Sequence, residues 1–140
     1  MELISHRGNV EEKIIEEENK VDYILNAINQ GFDCEIDVWC KNKLFLGHDE
    51  AQYELPMNFL FSYSDKLWIH CKNLEALEVL SRFKRLNIFW HQEDDFALTS
   101  KGFIWTYPGK QVCSNSIIVS DKASEYKNAN CFGVCADILR

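Results

Sequence analysis

Residues 33–39 read DCEIDVW, and no other stretch of the chain restricts its fold so tightly. Along an extended strand, side chains alternate between the two faces. Cys34, Ile36 and Val38 therefore share one side, and Glu35 and Asp37 share the other. The apolar side needs a covering layer. The acidic side has two solutions: it faces bulk water as an ordinary half-exposed strand, or it faces the inside of a parallel barrel. In the second case the paired acids need a cation or a proton.

Comparable strands recur along the chain and alternate with helical or polar stretches. LISHRG at 3–8 predicts a first strand, followed by an acidic loop. Val21, Ile24, Leu25 and Ile28 at helical spacing predict a helix over 19–30, stopped at Gly31. After the 33–39 strand, the chain turns at 41–43 and makes an extended excursion. KLWIHCK at 66–72 predicts a third strand. Asn73 then caps a helix to about residue 83 that buries Leu74, Leu77 and Leu80. Further strands are predicted at 86–91, 102–108, 116–121 and 131–137, with a short helical turn at 94–98 and a polar helix at 122–129.

Strand–helix alternation predicts a parallel sheet. With 140 residues, the expectation is one domain over 1–140. The expected fold class is α/β, a compressed TIM-type (β/α) barrel of about seven or eight mostly parallel strands with some helices reduced to loops. The competing open doubly wound sheet normally carries a Gly-rich first turn, and HRGN at 6–9 is not GxGxxG.

A hydrophobic fraction of 46% supplies a core, and a net charge of -7 argues against nucleic-acid binding. Five glutamates crowd residues 11–19, which reads as a solvated helix or loop. No apolar run approaches the ~20 residues of a membrane span, and no basic start followed by an apolar run marks a leader. Six cysteines without a CxxC are then expected as reduced thiols in a cytoplasmic protein. An uncovered edge of an incomplete barrel would favour a homodimer.

Chemistry-bearing residues gather at the predicted strand ends. His6, His70 and His91 lie near such ends, and His48 closes the extended excursion. Glu35 and Asp37 on the second strand, Arg7 beside His6, and His70 with Lys72 on the third converge at one rim, where α/β folds bind ligands. Singly, each has a plainer explanation: a hydrogen-bonded histidine, a solvated lysine, or acids facing water. Among the histidines, His91 reads as structural. Trp39, Trp90, Trp105 and Tyr107 suit core or rim packing, or stacking on a sugar ring.

HRGN at 6–9, EN at 18–19, GFDCEIDVW at 31–39 and LGHDE at 46–50 together resemble the glycerophosphodiester phosphodiesterase family. These pieces occur in that family's order and near its spacing, and its wider group comprises phospholipase C-like phosphodiesterases built on TIM-type barrels. The resemblance implies that His6 and His48 form an acid–base pair. It implies that Arg7 and Lys72 contact phosphate and that Glu35 and Asp37 ligate a divalent cation, Mg²⁺ or Ca²⁺. The chain departs from the pattern at the third strand, where Glu-x-Lys becomes His70-Cys71-Lys72, and after EN, where Thr becomes Lys20. FGVCAD at 132–137 is similar to a late strand of shorter relatives and implies Asp137 as a further site residue.

A phosphodiester is anionic and has a poor leaving group, so a bound dication and two proton-transfer groups are what its hydrolysis requires. As a third metal ligand, His70 would shift preference toward Mn²⁺ or Zn²⁺; otherwise it contacts only phosphate. The expectation is a metal-dependent phosphodiesterase acting on a small glycerol-, inositol- or sugar-type diester. The alternative is a barrel that binds phosphate or sugar phosphate without turnover.

Overall fold

The computed structural model describes residues 1–140 and contains ten strands, three short α-helices and one 3-10 turn. The first half comprises β1 (Glu2–His6), α1 (Val21–Asn29), β2 (Asp33–Lys41), β3 (Lys43–Leu46), β4 (Tyr53–Leu55) and α2 (Met57–Ser62). The second comprises β5 (Leu67–Cys71), α3 (Leu74–Leu80), β6 (Asn87–Phe89), β7 (Phe96–Leu98), β8 (Ile104–Thr106), β9 (Ser116–Lys122), a 3-10 turn (Ala123–Tyr126) and β10 (Gly133–Ile138).

All ten strands form one mixed sheet. Its parallel part runs β6-β5-β2-β1-β10-β9-β8, and β3, β4 and β7 are added antiparallel. The expected compressed TIM-type (β/α) barrel of seven or eight mostly parallel strands is therefore corrected: this is a mostly-strand mixed sheet, and all three α-helices precede β6. Chain length explains the difference. A parallel return by way of a helix needs about a dozen residues or more, and the segments 107–115 and 123–132 fall short of that. A loop and the 3-10 turn make those returns instead, and β7, paired with β8, occupies the connection after β6.

Two local expectations also change. The helical turn predicted at 94–98 is the strand β7, where exposed Phe96 and Leu98 flank buried Ala97 with period two. Leu74 is 75% exposed, because α3 turns Ala76 and Leu80 toward the sheet. Asn73 does cap α3, its side chain accepting from the Ala76 N–H at 3.1 Å.

The two faces of β2 separate as the alternation requires. Cys34, Ile36 and Val38 are fully buried in one cluster with Ile24 of α1, Leu60 of α2, and Ala76 and Leu80 of α3. On the opposite face, Ile4, Trp68, Phe89, Trp105, Ile117 and Cys135 form a second cluster. Phe89 and Trp105 stack at 4.6 Å between ring centroids, joining β6 and β8, which share no ladder. The sheet thus curls around an aromatic interior, and Glu35 and Asp37 project into its concave side beyond that layer.

All six cysteines are free, and burial pushes the Cys71 thiol up to about 12. No helix is long and apolar enough to cross a membrane.

Candidate active site

Register sets the site. His6 lies beside Glu35 across the β1–β2 ladder, and Asp37 beside His70 across β2–β5. Along one edge of β2, the Arg7 N–H donates to the Glu35 carbonyl at 2.9 Å and the Gly47 N–H to the Asp37 carbonyl at 3.1 Å. β1 and the turn after β3 therefore abut the same strand edge in succession. That switch of partner brings His6, Arg7 and His48 to the carboxylates. Together with Lys72, they line a cleft of about 630 Å³.

Asp37 is fully buried and surrounded by nitrogen. Asn19 clamps it twice, Nδ2 donating to Oδ2 at 2.9 Å while Oδ1 accepts from the Asp37 N–H at 3.0 Å. Asn19 reaches it from a left-handed backbone conformation (φ 66°), which asparagine tolerates better than most residues. Arg7 Nε lies 2.9 Å from Oδ2, His48 Nδ1 3.7 Å from Oδ2 and His70 Nδ1 3.2 Å from Oδ1. Burial opposes ionisation, but the His48 and His70 rings and the Arg7 guanidinium outweigh it and hold Asp37 well below the usual carboxylate range. Glu35 goes the other way. Burial first, and the Asp37 charge second, push it well above that range, against Arg7 and Lys72. The two acids therefore titrate as a pair, with Glu35 pushed up and Asp37 held down.

His6 is held by a second constellation. Its Nδ1 lies 2.7 Å from Asp137 Oδ1, and its Nε2 3.7 Å from Glu35 Oε2. Burial resists ionisation of Asp137, but His6, Asn9 and Lys13 keep the carboxyl below its usual value. A carboxylate only accepts, so His6 Nδ1 carries the hydrogen, and in the neutral ring the lone pair is on Nε2, on the Glu35 side. Asn9 Nδ2 donates to both Asp137 and Glu18, and Glu18 in turn accepts from Arg7 Nη1 at 3.2 Å. Arg7 is thus held by two carboxylates while lining the cleft, whereas Lys72 makes no ion pair and presents its charge to the cavity.

Glu35, Asp37 and His70 could hold a metal ion. Glu35, Asp37 and His70 offer ligand atoms that all lie within 4.8 Å of one another. Glu35 Oε2 and Asp37 Oδ1 are buried and lack any hydrogen-bond partner. Such orphaned acceptors are costly unless a cation or a proton satisfies them.

His6, Arg7, Glu35, Asp37, His48, His70, Lys72 and Asp137, all singled out in the sequence, are brought together. Composition misleads about Glu18: it sits in the acidic run but is 7% exposed and anchors Arg7 and Asn9. Asn9 and Asn19 lie in the HRGN and EN motifs, but their clamping roles appear only in the fold, where Asn9 reaches Glu18 and Asp137 and Asn19 reaches Asp37. His91 also does more than fill space. Its ring stacks on Tyr107 at 3.9 Å in the cleft wall, and its carbonyl faces His70 Nε2 at 3.3 Å. Comparison with family models, curated proteins and solved structures finds no match for this chain.

Proposed function

We propose that this chain is a metal-dependent phosphodiesterase that hydrolyses small glycerol-, inositol- or sugar-type phosphodiesters by histidine acid–base catalysis. One observation carries the reading. Two histidines, one at the end of β1 and one in the turn after β3, face a buried pair of carboxylic side chains that retain unpartnered oxygens, with Arg7 and Lys72 lining the same cleft. The motif resemblance over residues 6–50 points the same way.

Glu35, Asp37 and His70 would hold the dication, which supplies positive charge against the non-bridging phosphate oxygens. Asp137 keeps the hydrogen on His6 Nδ1, so His6 Nε2 accepts the proton from the attacking hydroxyl or water. His48 stands at the half-exposed rim, near the solvent into which an alcohol product departs, and gives its proton to the leaving oxygen. Lys72 and the free edge of Arg7 bind the phosphate by charge-assisted hydrogen bonds.

The test is hydrolysis of bis(p-nitrophenyl) phosphate across a series of divalent cations. His6→Ala and His48→Ala are each expected to abolish turnover while circular dichroism stays unchanged. Full activity in both variants would overturn the mechanism. A phosphate-binding module is the second reading, favoured by the imidazole at the third-strand position where the resembled family carries a carboxylate. Binding of inorganic phosphate with no turnover under any cation is the outcome that selects it.

A further inference from the structure

We infer that the Glu35–Asp37–His70 cluster selects a first-row transition dication, from Mn²⁺ to Zn²⁺, over Mg²⁺ and Ca²⁺. The inference rests on reading this cluster as a metal site, but not on the reaction proposed for it.

The orientation of the His70 ring carries it. His70 Nε2 lies 3.3 Å from the His91 carbonyl oxygen. A carbonyl only accepts, so Nε2 bears the hydrogen, and in the neutral ring the lone pair is on Nδ1. Nδ1 is the nitrogen turned toward Asp37 Oδ1, 3.2 Å away. That oxygen and Glu35 Oε2 are both unpartnered, in residues 0% and 3% exposed. In a neutral His70 the Nδ1 lone pair therefore faces a buried carboxylate oxygen, within a group whose ligand atoms lie within 4.8 Å of one another, and lone pairs so placed repel unless a proton or a cation lies among them. The ring is clamped in this pose by Phe89, parallel to it within 10° and 5.0 Å away.

A histidine whose second nitrogen donates to a backbone carbonyl, with its free nitrogen beside carboxylate oxygens, has the usual arrangement of a metal ligand. The donor set then decides among cations. Mg²⁺ and Ca²⁺ are hard ions that take oxygen, whereas imidazole suits the transition series. The rival is a protonated His70 that merely pairs with Asp37 and leaves the cation to the carboxylates.

Chelator-stripped full-length protein titrated calorimetrically with each cation separates these. Mn²⁺ and Zn²⁺ are expected to bind at least about tenfold tighter than Mg²⁺ or Ca²⁺. Electron spin-echo spectra of the Mn²⁺-loaded protein should show a directly bound imidazole nitrogen, absent in His70→Glu. That variant should also shift the preference toward Mg²⁺ and Ca²⁺. Equal affinities in the wild type, or no nitrogen signal, would overturn the inference. Failure to bind any cation would overturn both this and the metal-dependent reaction. Nitrogen-ligated Mn²⁺ without turnover of any diester would remove only the phosphodiesterase reading.

Discussion

Glu35 and Asp37 are two residues apart on one strand face, yet their carboxyls have opposite fates. Burial dominates Glu35, and the imidazole and guanidinium neighbours dominate Asp37. A carboxyl raised in the fold contributes stability that is complete below its unfolded pKa and is lost as pH rises through the folded one. In chelator, Glu35→Gln should therefore melt progressively higher than wild type as pH climbs above the ordinary glutamate value of about 4.3. Thermal melts from pH 4 to 8 check this, and a gap that stays flat or shrinks contradicts it. The same variant should lose cation affinity by calorimetry. Asp137 acts on another atom. Asp137→Asn removes the acceptor that keeps the hydrogen on His6 Nδ1, so kcat should fall about 10²- to 10⁴-fold. Cation affinity of the Glu35–Asp37–His70 cluster should be unchanged, because Asp137 lies in the separate group of His6, Glu18 and Asp137.

β2 organises the site at the level of elements. Its edge passes from β1 to β3 between Glu35 and Asp37, and this exchange joins two loops far apart in sequence. Gly47 makes it possible. A Cβ there would stand 1.9 Å from the Glu50 carbonyl, so the backbone beside His48 has no room for a side chain. Gly47→Ala should displace His48 and lower diester hydrolysis more than it lowers Mn²⁺ affinity, which steady-state kinetics and calorimetry separate. Asn73 works elsewhere, capping α3 and gripping β2 through both the Cys40 N–H (3.1 Å) and the Cys40 carbonyl (2.8 Å). Asn73→Ala should cost about 1–2 kcal/mol, seen as a Tm several degrees lower with activity at low temperature retained. These elements were legible where their cues were local. The cap at Asn73 and the alternation of β2 both follow from adjacent residues. Leu74 misled because helical spacing says which residues share a face, but not which face meets the sheet.

For the whole molecule, the curled mixed sheet replaces the helix-backed barrel without losing a concave interior. Trp68, Phe89 and Trp105 fill that interior where a barrel would stack aliphatic layers. Trp68 also donates its indole N–H to Asp33 at 3.0 Å, tying the aromatic layer to the end of the sheet away from the cleft.

Read alone, the chain determined which segments extend, which face of β2 is apolar, and that histidines and acids stand near strand ends, since these depend on residues one to four positions apart. Only tertiary structure decided that three helices suffice and that β7 is a strand. It alone buried Glu18 and turned the His91 carbonyl toward His70. Those outcomes depend on pairings between residues tens of positions apart and on how much chain is left to make each return. Local periodicity carries neither quantity.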